Sequence, residues 1–333
     1  MSNFLFNLKQ KVNKIFSTEN FDNQNNQNTI MNTTDLQTVN DNSSSNKINI
    51  NTLPVIALET IFENLTGYDL IHNAILVCKQ WQSIIDNEAF WLRKCLKEKK
   101  LDNHQATILH NSDIFKAKNI YFSNILNKNL LKNPCGDEKF QHWHSTESIQ
   151  VNFENAEPKI VKRIIQDYKE KIVKPNERTW QIQNENNGCE ELLDKNSNVL
   201  KKFATSYYWA GKMQLIELDQ SILDFIDKCI EADLGLKLEV NENYAARFDC
   251  GSIYKLNVYL VNDNYEIIDS FQFQDQMPQW SDAKWKLASR LFDVKKPFRY
   301  VIFYHGGQDT QFWAGFYGSK MTNGSVRFKI VQN

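Results

Sequence analysis

The chain has 333 residues, 41% of them hydrophobic and 12% aromatic, enough for roughly two domains with real cores. Its 39 lysines and arginines nearly balance 40 aspartates and glutamates, for a net charge of −1. That excludes a nucleic-acid binder working by phosphate neutralisation, so partners are expected to be met through shape and local chemistry.

The N-terminal stretch MSNFLFNLKQKVNKIF sets Phe4, Leu5, Leu8, Val12, Ile15 and Phe16 near helical spacing among Lys9, Lys11 and Lys14. Residues 1–18 read as a short amphipathic helix, either a docking helix or a frayed terminal one. Its apolar run is too short for a signal sequence, and no later run approaches the roughly eighteen residues of a membrane span. Residues 19–50 are dominated by Asn, Gln, Ser and Thr without apolar periodicity. Such a tract buries too little surface to offset its ordering entropy and is expected to be a disordered leader.

From Leu53 the pattern becomes helical. In LPVIALETIFENL, Pro54 suits a first helical turn, and Leu58, Ile61, Phe62 and Leu65 form one stripe, with Gly67 ending the helix. DLIHNAILVCKQWQSIID follows as a second helix, with Asp69 as its cap and Val77, Trp81, Ile84 and Ile85 at the same spacing. EAFWLRKCLKEKK adds a third, with Phe90, Trp91 and Leu92. A module of about 45 residues is marginal by size and calls for a supporting partner.

A helical stretch over 104–128 then leads into a region of different character. Segments 213–218, 236–240, 254–261, 267–273, 284–291, 299–305 and 325–331 alternate with period two, separated by Asn, Asp, Gly and Pro. They predict an antiparallel sandwich. PKIVKRIIQDYKEKIVKP (158–175) interrupts them with Ile160, Ile164 and Tyr168 on one helical face, read as a solvated surface helix. Near the C-terminus, FYHGGQDTQFWAGFYGSKMTNGSV (303–326) holds five of the eleven glycines around Phe312, Trp313, Phe316 and Tyr317. Glycine allows close backbone approach and an exposed ring offers rigid contact area, so the segment is a binding loop or a tight turn whose rings return to the core. The six cysteines (78, 95, 135, 189, 229 and 250) form no CxxC pair and no zinc-like Cys/His spacing. Reduced thiols, a cytoplasmic setting and no metal or cofactor are expected.

The landmarks LP, IFENL, LVCKQW and FWLRKC within 53–95 resemble an F-box. NLLKNPCGDEKFQHW (129–143), FATSYYWAGKMQLIEL (203–218), RFDCGSIYKLNVYL (247–260) and the glycine-rich segment resemble, in order, the F-box-associated domain of the sugar-recognising F-box proteins. The resemblance implies an α+β multidomain chain: an F-box at 51–98, a helical linker at 99–128 and a jelly-roll-like β-sandwich at 129–333. It also implies a non-catalytic substrate adaptor of an SCF-type ubiquitin ligase. The F-box would dock the Skp-type linker subunit that joins it to a cullin. The sandwich would capture misfolded glycoproteins by the chitobiose core of a high-mannose N-glycan, for ER-associated degradation, or else a non-glycan protein client.

Leu53, Pro54, Leu58, Ile61, Phe62 and Leu65 are the candidates for linker docking, unless they pack on Val77, Trp81 and Trp91 within the module. For the glycan, the resemblance assigns Trp313 the central aromatic place, Phe312 a place usually held by Tyr, and Asp249 the acidic place, with Tyr207 or else Phe203 completing the wall. The chemistry is sensible: a pyranose C–H face stacks on a ring, and a carboxylate accepts from hydroxyls. This chain departs from the glycan binders at Ala314, where Lys usually follows the tryptophan, and at Phe312, which lacks a hydroxyl. A glycosidase would cast Asp249 and Asp309 as its carboxylate pair, yet Asp309 reads better as a turn residue, and His305 as a structural strand-end histidine.

Overall fold

A computed structural model describes residues 53–112, 114–146, 153, 156–171, 173–185 and 187–331. The expected N-terminal helix and Asn-rich leader lie outside the described residues. The chain divides into two compact units at Glu98 and Lys99.

The first unit is helical: α1 (Val55–Glu63), α2 (Gly67–His72), a 3-10 turn (Ala74–Leu76), α3 (Lys79–Ile85) and α4 (Glu88–Lys97). Pro54 sits at the N-cap of α1, where its missing N–H costs nothing. The expected second helix is instead three pieces. Gly67 opens α2 rather than closing α1, and the cap is Thr66, whose Oγ1 accepts from Asp69 N at 3.0 Å, so Asp69 lies inside the first turn. Extended backbone at Cys78 then separates α3 from the 3-10 turn. The stripe Leu58, Ile61, Phe62 and Leu65 is buried with Trp81 and Trp91; Phe62 meets Trp81 edge to face at 4.8 Å. Lys94 is also fully buried, donating to Glu63 O and Leu65 O at 3.1 and 2.6 Å and pairing with Glu98. A cation on otherwise orphaned carbonyls at the end of α1 complements both their lone pairs and the helix dipole.

The second unit begins with α5 (Asn103–Ser112) and α6 (Ala117–Ser123), two short helices where the sequence predicts one stretch. Asp102 and Gln105 form a reciprocal capping box, side chain to backbone, at 2.8 and 3.0 Å. Asn124, left-handed at φ 49°, closes α6. Among the described residues ten strands follow: β1 (His144–Ser145), β2 (Trp180–Gln183), β3 (Lys202–Thr205), β4 (Ala210–Glu217), β5 (Leu236–Ala245), β6 (Ser252–Val261), β7 (Ile267–Met277), β8 (Lys286–Asp293), β9 (Tyr300–Asp309) and β10 (Lys320–Ile330). They build two five-stranded antiparallel sheets, ordered β1-β4-β9-β6-β7 and β2-β3-β10-β5-β8. The period-two segments all fall on strands, and β5 alternates buried and half-buried along most of its length, as a strand with one face on the core must.

Two helices decorate the sandwich. α7 (Pro158–Glu170) is not a solvated helix: Val161 and Ile165 are buried against Met213, Tyr259, Tyr300 and Ile302, while Ile160 is exposed. The inward stripe lies one residue along from the predicted face, and Ile164 and Tyr168 flank it half-buried. α8 (Gln220–Glu231) fills a stretch left unassigned from the sequence; Asp219 caps it by accepting from Ile222 N at 3.0 Å, and Leu223, Phe225, Ile226 and Cys229 face inward.

Between the sheets lies an ionic relay. Lys212 (β4), His305 (β9), Glu242 (β5) and Tyr254 (β6) are fully buried. Lys212 Nζ donates to His305 Nε2, His305 Nδ1 donates to Glu242 at 2.7 and 2.9 Å, and Tyr254 donates to Glu242 Oε2 at 2.6 Å. The Lys212 amine, whose pKa burial pushes well below its usual value against the opposing pull of Glu242, also lies over the faces of Phe203 and Trp143, 3.3 and 3.7 Å from the ring centroids. Isolated buried charges are costly, so each has its counterpart on a facing strand.

Candidate functional site

Strand register gathers four loops at one end of the sandwich. Ser252 pairs with both Asp309 and Met277, Ala210 with Gly307, Lys320 with both Ala245 and Ala204, and Tyr244 with Lys286. The connections 206–209, 246–251, 278–285 and 310–319 therefore emerge together.

Polar bonds tie these loops to one another. Asp309, buried at the end of β9, accepts from Gln311 N and Phe312 N at 3.0 and 2.6 Å through one oxygen. Its other oxygen is buried without a hydrogen-bond partner, and burial pushes the carboxyl above its usual range, partly offset by the N–H donors. Gln311 Oε1 accepts from Gly251 N at 2.7 Å and Cys250 Sγ at 3.1 Å, and Thr310 N donates to Gly251 O at 2.9 Å. Gly318 passes so close to Thr205 that a Cβ would collide with its hydroxyl, and Gly315 holds φ 130°. The glycines of the loop are thus required by close approach and by backbone angle.

On this frame Phe312, left-handed at φ 57°, is 73% exposed and Trp313 38% exposed. Trp313 stands edge-on to Tyr317 at 5.8 Å. The Arg247 guanidinium covers the Tyr317 ring at 4.6 Å and forks onto Asp249 at 2.8 and 2.9 Å. That bond holds the Asp249 carboxyl below its usual range, so it is an anion with lone pairs to spare beside exposed aromatic faces. Tyr207, half-buried, packs on exposed Tyr208 at 4.3 Å.

Of the five glycan candidates, Trp313, Phe312, Asp249 and Tyr207 lie on the gathered loops. Phe203 does not: it points into the core beneath Lys212. Arg247 and Tyr317, neither of them among the site candidates, connect Asp249 to Trp313. Their only signal was position, Arg247 two residues before the acid and Tyr317 inside the aromatic run.

In the helical unit, Leu58, Ile61, Phe62 and Leu65 are buried, so four of the six docking candidates are the module's own core. A single apolar stripe in so small a module is consumed by its tryptophans. Leu53 is half-buried and Pro54 exposed; the apolar surface left open continues from Pro54 to Val55 and Ile56, the latter 77% exposed, and includes Tyr68 and Leu76.

Comparison with known proteins agrees with this division. An F-box-like profile matches residues 50–97 and a profile of the F-box associated region matches 121–328. Human F-box only protein 44 is 33% identical over 280 residues, covering 84% of this chain and 96% of its own. Human F-box only protein 6 is 31% identical over 280 residues, 83% of each chain, and bovine F-box only protein 2 is 27% identical over 284 residues, 82% of each. The chain therefore belongs to the F-box proteins that carry a C-terminal F-box associated region.

Proposed function

We propose that the chain is the non-catalytic substrate-recognition adaptor of an SCF-type cullin-RING ubiquitin ligase. The helical unit docks a Skp-type linker through the open apolar surface at Pro54, Val55 and Ile56, and the loop end of the sandwich captures the client. The client is a misfolded glycoprotein held by the chitobiose core of a high-mannose N-glycan, presented in the cytoplasm for degradation. The observation that carries this reading is the exposed Trp313 and Phe312 pair, pinned by Asp309 beside the ionised Asp249: stacking faces and a carboxylate acceptor, fixed in place before a sugar arrives. No helix among the described residues is long and apolar enough to cross a membrane.

A specific observation also favours a client recognised without sugar. Ala314 and Phe312 remove a cation and a hydroxyl from the loop, contacts worth about 0.5–1.5 kcal/mol each and more when charged. The deciding experiment measures binding of the full chain to a high-mannose glycan carrying its chitobiose core. Trp313→Ala should abolish binding with the melting temperature nearly unchanged, and Ala314→Lys should strengthen it. Undiminished binding by Trp313→Ala, or none by the wild type, would move the reading to the non-glycan client.

A further inference from the structure

A second aromatic pair stands beside this loop, on connections that carry none of the assigned candidates except Asp249. Phe248 is 49% exposed and Trp280 71% exposed; their ring centroids are 6.4 Å apart with planes at 52°. Trp280 has φ 64°, a left-handed conformation that a bulky residue rarely adopts. The pair is continuous with the Trp313 site: Phe248 adjoins Asp249 in sequence, and Gln279 Nε2 donates to Asp249 O at 3.0 Å, fastening the Trp280 loop to the acid.

The chemistry of the two aromatic patches differs. Around Trp313 a charged acceptor is available. Around Phe248 and Trp280 the neighbouring polar side chains already have partners: Gln279 donates to Asp249 O, and the exposed Asp282 carboxylate accepts from Lys284 N and pairs with Lys284 Nζ. The tilted rings form an open wedge rather than one flat face. A wedge of that kind suits an aliphatic or aromatic side chain better than a pyranose, which needs acceptors for its hydroxyls.

We infer that Phe248 and Trp280 form a platform for apolar side chains of the client polypeptide next to its glycosylated asparagine. The inference rests on the glycan reading of the Trp313 loop, since the reducing end of an N-glycan continues directly into polypeptide, which must then cross the surface bordering that loop. Such a platform favours clients whose apolar residues are exposed, that is, unfolded ones.

Four probes test it on the full chain: the free chitobiose-core glycan, the same glycan on a peptide with Leu and Phe flanking the asparagine, the glycan on a Gly/Ser-flanked peptide, and the unglycosylated Leu/Phe peptide. The wild type should bind the apolar glycopeptide about tenfold more tightly than the Gly/Ser one. Trp280→Ala and Phe248→Ala should remove that preference while leaving free-glycan affinity and melting temperature unchanged. Persistence of the preference in both variants, or an equal loss for the free glycan, would overturn the platform. If the wild type binds no glycan in any form, the sugar reading fails. The platform then stands only if the unglycosylated apolar peptide binds in a Trp280-dependent way, and falls if it does not.

Discussion

The helical unit and the loop end of the sandwich use apolar residues in opposite ways. In the helical unit the periodic stripe of α1 turns inward onto Trp81, and the apolar residues left exposed, Pro54, Val55 and Ile56, lie at the helix start, off the stripe. At the loop end, rings with no periodicity are held outward by backbone N–H bonds accepted by Asp309 and Gln311 and by the Arg247–Asp249 fork. Periodic apolar residues therefore mark a core that the chain supplies for itself. Apolar residues embedded in glycine and polar anchors mark a surface kept open for something else.

The sharpest way to break this contrast is a pair of substitutions on one helix. Ile61→Asp places a charge in the core of a marginal module and should cost several kcal/mol, abolishing its helical melting transition. Ile56→Asp should leave that transition intact and remove co-purification with a Skp-type subunit. If the two variants behave alike, the division between inward stripe and open surface is wrong.

Next in size is the sandwich relay. Glu242→Ala leaves Lys212 and His305 buried without their anion, and chemical denaturation should show a loss of about 3–5 kcal/mol. The same relay makes the sandwich acid-sensitive through His305. Burial, reinforced by Lys212 and opposed by Glu242, lowers the pKa of His305 from 6.5 to about 4. Above pH 6.5 neither state binds the proton and this contribution is complete. As pH falls toward 4, the unfolded chain takes up a proton that the fold refuses. The His305 contribution to this loss should be about 2 kcal/mol by pH 5, read as a lower urea midpoint for the sandwich transition that His305→Gln no longer shows.

The smallest expected stability effect lies at the loop. Asp309→Ala removes the acceptor for two backbone N–H groups and should cost about 1–2 kcal/mol, yet weaken client binding far more than it lowers the melting temperature. Asp309→Asn, which keeps an acceptor oxygen, should restore most of the binding. Equal effects from both variants would show that Asp309 acts through its charge rather than by holding Phe312 and Trp313.

Much of this was legible in advance because it depends on local spacing. The strands announce themselves by period two, and the exposed rings Phe312 and Trp313 by their glycine-rich loop, whereas Asp249 is singled out only by the family resemblance. Other features were not legible. α8 lay hidden because a strand pattern on both sides drew attention from LDFIDKCIE, and the face of α7 was misjudged by one residue, since Ile160 and Val161 are equally apolar and only Val161 meets Tyr259 and Ile302. Phe203 looked like a pocket wall because it neighbours the Tyr207 loop, but alternation along β3 turns it inward.

By itself the sequence determined the order of the parts: a helical module from about residue 53, then an antiparallel sandwich with a glycine-rich aromatic loop near its end. Those follow from periodicity, caps and turn residues, which act over a few positions. Only the tertiary structure decided which apolar residues of α1 are core, that Lys212, His305 and Glu242 share one buried relay, and that Arg247 and Tyr317 join Asp249 to Trp313. Each of these depends on strands or helices distant in the chain coming into register, and one-dimensional spacing carries no information about which of two apolar faces will find its partner.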